Sequence, residues 1–266
     1  MKPFFCPNIV QKEGIYLLIL LSPAKTMNFT STIPMFLHKT EPVFLEHALF
    51  LNKILRKMKS MELKTALNLS EKQIQQVKNN IQNFSVPNTG RQAIYAYIGT
   101  VYKGIDILNM NEEQINFAQD HIRILSGLYG ILKPLDLIQE YRLDMKSKIN
   151  IPNSSNLYKY WNNIISDYLI RYKRNETIIN LASKEFSKII DFSQIKTKIV
   201  DISFSELNND KLTSPPMYSK MARGKMTRFI IRNFLTNTEQ IKKYNLDGYS
   251  FNNNLSSDNS YIFTRE

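Results

Sequence analysis

The chain is poor in the residues that make disulfides and metal clusters. Cys6 is its only cysteine, so no intramolecular disulfide can form, and a reducing cytoplasm fits. Histidine occurs only as His38, His47 and His121. No Cys/His cluster has zinc-finger or iron–sulfur spacing, which argues against a metal site. No apolar run approaches the roughly 20 residues that cross a bilayer, so no membrane contact is expected. Residues 1–16 carry Lys12, Glu13 and Gly14 but no apolar h-region. They read as a flexible N-terminal extension and not as a signal peptide. The G-x-G-x-x-G, Walker A and H-E-x-x-H patterns are missing too, so no cofactor is expected.

What the chain has in excess is positive charge. Over 266 residues, 35 lysines and arginines outnumber 23 acids, giving a net charge of +12 and a pI near 9.5. Such a surface attracts polyanions, although a general abundance of Lys, Ile and Asn contributes part of the excess. The hydrophobic share of 43% suits an ordinary globular protein.

Periodicity predicts alternating helices and strands without a strict βα repeat. Ile15 to Leu21 is a continuous apolar run, as expected of a strand buried on both faces, and Pro23 stops it. Apolar residues at helical spacing mark 43–58. Ser70 and Gln73 form a capping box before Ile74, Val77, Ile81 and Phe84, and Pro87-Asn88-Thr89-Gly90 breaks that helix. Asn111 and Gln114 cap another helix, whose stripe runs through Ile115, Ala118, Ile122 and Leu125. Tyr158, Trp161, Ile164, Ile165 and Leu169 mark a further helix, and residues 221–235 a last one. Ala93 to Ile98, Thr177 to Leu181, Lys198 to Phe204 and Tyr261 to Phe263 read as strands. No linker divides the chain. The expected fold is a mixed α/β (α+β) single domain over residues 17–266, with a mixed sheet.

Four segments can carry chemistry. Arg123 to Asp136 joins a helix to a second short helix through Gly127-Leu128-Tyr129-Gly130, with Lys133 just beyond and Pro134 in the second helix's first turn. Backbone N–H groups in such a glycine turn can hold a phosphate oxygen, in the manner of a helix-hairpin-helix; an ordinary helix C-cap explains the same glycines. Lys220 to Arg232 holds five cations and no acid, with Lys225, Arg228 and Arg232 on one helical face. A phosphate backbone or plain solvent can occupy that face. Ser22 and Lys25 follow a buried strand, where α/β folds place ligand-binding groups, and a desolvated lysine can activate a hydroxyl. Asn180 to Phe186 adds Ser183, Lys184 and Glu185 at a second strand end; Ser183 can equally be a helix N-cap. Arg142 and Asp144 more often form surface ion pairs.

Several blocks together resemble one family. Leu18 to Thr26, Arg91-Gln92-Ala93, Phe117-Ala118-Gln119, Arg123 to Asp136, Tyr141 to Met145, Asn180 to Ser183 and Ala222-Arg223-Gly224 are similar to the YaaA peroxide-stress family, in order and from about residue 17 onward. The resemblance implies a cytoplasmic bacterial protein that limits unincorporated iron and so Fenton damage to DNA. It also implies a positively charged cleft and a helix-hairpin-helix that binds duplex and branched DNA without sequence specificity. Carried over, the hairpin falls on Ser126, Gly127, Tyr129, Gly130 and Lys133; Lys220, Arg223, Lys225 and Arg228 of the basic stretch are further expected DNA contacts. The cleft falls on Ser22, Lys25, Arg91, Arg142, Ser183, Lys184 and Glu185. A monomer without cofactor or metal is expected, with DNA as partner. The alternative is an enzyme acting on a small anionic ligand in the cleft, its catalytic groups being Lys25, Ser183 and Glu185.

Overall fold

The computed structural model describes residues 17–34, 38–85, 90–172, 177–208 and 211–266; the N-terminal extension, Cys6 and the Pro87-Asn88-Thr89 breaker lie outside them. In chain order the elements are β1 (Leu17–Leu21), β2 (Thr26–Met27), α1 (Leu45–Arg56), α2 (Ser60–Leu67), α3 (Glu71–Asn83), β3 (Arg91–Gln92), α4 (Ala93–Ala96), β4 (Tyr97–Ile98), α5 (Thr100–Ile105), α6 (Glu112–His121), β5 (Ile122–Ser126), β6 (Gly130–Leu132) and β7 (Leu137–Ile138). They continue with α7 (Leu157–Tyr172), β8 (Thr177–Asn180), α8 (Lys184–Ser187), β9 (Ile199–Asn208), β10 (Lys211–Thr213), α9 (Pro216–Arg232), α10 (Thr238–Ile241), β11 (Ser250–Phe251) and β12 (Ser260–Arg265).

The apolar run at Leu17–Leu21 forms the middle of the sheet because it can be covered on both faces; all of its residues are buried. Parallel pairing gives the order β12-β9-β8-β1-β5. The register sets Leu18 against Ile178 and Ile19 against both Ile179 and Ile122. Antiparallel β11 and β6 extend the two ends, and β10 folds back on β9. The chain leaves β1 toward β5 on one side and comes back to β8 on the other. The loops after β1 and β8 therefore part in opposite directions. Such a switch point opens a crevice at the carboxyl ends of the strands, where open α/β sheets receive ligands.

The capping boxes form at both predicted helix starts, Ser70 with Gln73 and Asn111 with Gln114. Trp161, Ile165 and Leu169 of α7 are buried as the spacing predicts. Among the described residues no helix is long and apolar enough to cross a membrane.

Three elements differ from the sequence reading. The helix expected to run through Ile122 and Leu125 ends at His121, and Ile122–Ser126 forms β5. A central strand position next to β1 accepts Ile122, Ile124 and Leu125, and the interior also takes in Arg123. Its Nη1 donates to the carbonyls of Ile122 (2.7 Å) and Gln119 (3.2 Å), and its Nε to the Tyr168 hydroxyl (3.1 Å). Pro134 lies in a turn, not a helix. Ala93 to Ile98, expected as a strand, is a single helical turn followed by the short β4.

Asp136 links this region to the rest. Its carboxylate accepts from Thr40 Oγ1 (2.6 Å) and from the Lys133 N–H (2.8 Å). Burial pushes its pKa from 3.8 up to about 6, although those hydrogen bonds and the charges of Arg123 and Lys133 pull it down. The folded protein thus holds this proton more tightly than the unfolded chain does. Stability is then greatest below the unfolded value and falls as pH rises toward 6, by up to about 3 kcal/mol. Urea unfolding at pH 4 to 7.5 should show that decline in the parent and lose it in Asp136→Asn; parallel profiles would contradict the assignment.

Candidate functional site

The candidate site is built from the loops that follow β1 and β8. Pro23 ends the β1 ladder, and the Ser22 carbonyl accepts a hydrogen bond from the Tyr102 hydroxyl (3.0 Å). On β8, Leu181 N–H still bonds the Leu20 carbonyl (3.0 Å). Asn180 then turns the chain, accepting from Ala182 N–H (3.1 Å) and donating to Asp201 (2.6 Å). The two loops meet at their serines. Ser183 N–H donates to Ser22 Oγ (2.8 Å), and Ser22 Oγ donates to Ser183 Oγ (3.2 Å).

Charged groups from the 141–146 segment contact both loops, so that the three segments form a ring of contacts. Arg142 Nη1 donates to the Lys25 carbonyl (3.3 Å), while Lys25 Nζ (3.3 Å) and Arg142 Nη2 (3.6 Å) share one Asp144 oxygen. On the other side Lys146 Nζ is 4.0 Å from Glu185, and Lys184 is exposed. Arg142 Nε is buried and has no hydrogen-bond partner. An unsatisfied buried donor is costly unless a ligand takes it.

A buried hydroxyl network positions the segment that carries Arg142. Tyr141 bonds Tyr97 (2.7 Å) and Ser126 Oγ (2.8 Å) through its hydroxyl. Burial, the largest influence on each, pushes Tyr141 up to about 12 and Tyr97 and Tyr102 well above the ordinary 10. All three phenols therefore keep their protons at neutral pH, and Tyr102 donates its own to the Ser22 carbonyl.

The glycine hairpin is not part of this surface. Ser126, Gly127, Tyr129 and Gly130 are all buried, and the turn joins two antiparallel strands, with Ser126 paired to Gly130. It is a β-hairpin, and the helix-hairpin-helix expectation is corrected. Ser126 Oγ already accepts the N–H groups of Leu128 (3.2 Å) and Tyr129 (3.0 Å), and the Gly127 carbonyl accepts Trp161 Nε1 (2.9 Å). None of those groups is left for a phosphate. Lys133, half-buried, stands beside Asp136.

The basic face of α9 is likewise compensated from elsewhere in the fold. Lys225 pairs with Asp247 (2.6 Å), Arg228 with Asp106 (3.1 Å), and Arg232 donates to the Asn109 carbonyl (3.2 Å). Lys220 is exposed and Arg223 half-buried, with a buried, unpartnered Nε and a pKa lowered by desolvation. Arg91 is buried apart from the serine pair, donating to Ser31 Oγ (2.7 Å) and the Tyr95 carbonyl (3.3 Å).

Contacts thus tie Ser22 to Ser183, Lys25 to Arg142 and Asp144, and Lys146 to Glu185, and through them the three segments that carry these residues. They do not join Arg91, Lys220 or Arg223 to that ring. The contribution of Tyr102 escaped the sequence reading, because a tyrosine on a six-residue helix reads as core. Among the described residues no group of three or more His, Cys, Asp or Glu is placed to hold a metal.

Comparison with known proteins agrees with this arrangement of blocks. A UPF0246 protein of Flavobacterium psychrophilum is 38% identical over 251 residues, covering 93% of this chain and 99% of the relative. One from Flavobacterium johnsoniae is 36% identical over the same shares, and one from Hahella chejuensis is 35% identical over 256 residues, 94% of this chain and 100% of that protein. The family model described as peroxide stress protein YaaA matches residues 17–255, from the first residue of β1 to beyond β11. The chain belongs to the YaaA peroxide-stress family.

Proposed function

We propose that the protein serves in peroxide defence by binding DNA without sequence specificity. Backbone phosphates would enter the basic crevice at the ends of β1 and β8, and the bound DNA would be protected from iron-driven Fenton damage. The observation that carries this reading is the buried, unpartnered Nε of Arg142, whose Nη1 is held by the Lys25 carbonyl on the loop that follows β1. Arginine presents a fork of donors suited to a phosphate, and the Ser183 hydroxyl, which accepts from Ser22, keeps its own proton as a further donor. The net charge of +12 draws a polyanion toward the molecule. Contacts of this kind position a backbone without reading bases.

A second reading has one observation in its favour. Serines tied across a topological switch point are where α/β folds receive small ligands, so the same crevice suits an enzyme acting on an anionic small molecule. Fluorescence polarisation with a labelled blunt duplex separates the two. On the first reading, Arg142→Gln weakens the duplex about tenfold near 0.1 M salt, as loss of one phosphate contact implies, and a nucleoside monophosphate does not compete at equal phosphate. Strong competition by the monophosphate would favour the second reading. An unchanged duplex affinity would sink the first.

A further inference from the structure

The 141–150 segment does not stop at the crevice. Beyond Lys146 it lines a cavity of about 480 Å³ that contains Lys146, Lys148, Asn150, Asn156 and Tyr158. Lys148 and Asn150 also line a second cavity, of about 790 Å³, whose other wall is the end of α1 and the start of α2, with Lys57, Met58, Met61 and Glu62. The two cavities share residues and so form one trough, and Lys146 joins it to the Glu185 side of the crevice. Each has the size of a site for a small organic group.

Its chemistry is mixed in a particular way. Lys57, Lys146 and Lys148 are exposed, and among the described residues Lys57 and Lys148 carry no ion pair. Between them lie apolar surfaces, Met58 and the exposed Met61 (65% accessible), and the half-buried ring of Tyr158. Among the described residues Glu62 is the one acid on the wall, and its carboxylate accepts from the Lys59 N–H (2.7 Å). A duplex hides its bases and offers only phosphates to such a trough. A single strand offers phosphates to the lysines and base faces to the ring and the thioethers.

We propose that this trough is a track for single-stranded nucleic acid, continuous with the crevice, so that a duplex with an unpaired tail binds at both places. The track rests on the DNA-binding reading of the crevice but uses different residues. The test is fluorescence polarisation on the full chain with three labelled probes, a blunt duplex, the same duplex with a ten-nucleotide tail, and the isolated single strand. Lys57→Gln/Lys148→Gln, checked by thermal unfolding for an intact fold, removes two lysine–phosphate contacts. For the single strand the slope of log K against log salt should become shallower by about 1.4, and affinity at 0.1 M salt should fall roughly 25-fold. The tailed duplex should lose its advantage over the blunt one, whose affinity stays within twofold. Equal losses for all three probes, or no loss for the single strand, would overturn the track. If the double variant behaves as expected while Arg142→Gln leaves the blunt duplex unaffected, the crevice reading fails and the track stands. If only Arg142→Gln matters, the reverse holds.

Discussion

Gly130→Ala should unfold the protein at a markedly lower urea concentration, with a loss of about 2 to 5 kcal/mol. Gly130 has φ of +72°, and an alanine in the left-handed region costs about 1 to 2 kcal/mol. Packing adds more. A Cβ there would stand 2.5 Å from the Trp161 ring, which is fully buried on α7. That ring is also fixed by its hydrogen bond to the Gly127 carbonyl, so it cannot swing aside without breaking the bond, and overpacking costs a further 1 to 3 kcal/mol or so. Chemical denaturation with intrinsic tryptophan fluorescence reads the effect directly, since Trp161 is the only tryptophan. A phosphate-binding glycine, by contrast, would be stability-neutral and would lose only affinity. Stability within 1 kcal/mol of the parent would contradict the structural role given to the hairpin.

Gly224→Ala should also be costly, against local propensity. Gly224 lies within α9, where alanine is intrinsically better than glycine by about 1 kcal/mol. At this position, however, a Cβ would sit 2.0 Å from the Val101 carbonyl oxygen and 2.9 Å from the Cα of Gly104 on α5. The obstacles are backbone atoms of a neighbouring helix and cannot rotate away. Sterics should win, with a net loss of about 2 to 4 kcal/mol, because the two helices must move apart at their crossing. The same displacement shifts Tyr102, whose hydroxyl holds the Ser22 carbonyl, so ligand affinity should fall with stability. Gly104→Ala faces the same crossing, with the Met221 carbonyl at 2.7 Å, and pairing the two substitutions should not add, since either one already separates the helices. A thermal midpoint raised by Gly224→Ala would show that the helices do not cross this closely.

Much of the architecture is legible where local pattern and burial agree. The Leu17–Leu21 run, both capping boxes and the Trp161 stripe form where expected because each element's own sequence determines it. Ile122–Ser126 was misleading for a physical reason. An arginine in mid-strand imitates an amphipathic helix, and the carbonyls and the Tyr168 hydroxyl around it help make its burial tolerable. The same limit applies to α9. Lys225 and Arg228 stand uncompensated in their own stretch of sequence, and their partners Asp247 and Asp106 arrive only through the fold. Ser22, Lys25, Ser183 and Arg142 were legible as strand-end and block residues, whereas their closure into one ring depends on sheet order, which no local signal carries.

The most direct test sets the crevice against the basic helix. Arg142→Gln and Arg228→Gln each remove one positive charge, so their effect on long-range attraction is the same. They differ only in what each arginine touches. Polarisation titrations of one labelled blunt duplex near 0.1 M salt should show Arg142→Gln weakened about tenfold, with Arg228→Gln within twofold of the parent. The opposite ranking, with Arg228→Gln the weaker binder, would place the phosphate contacts on α9 and contradict the account.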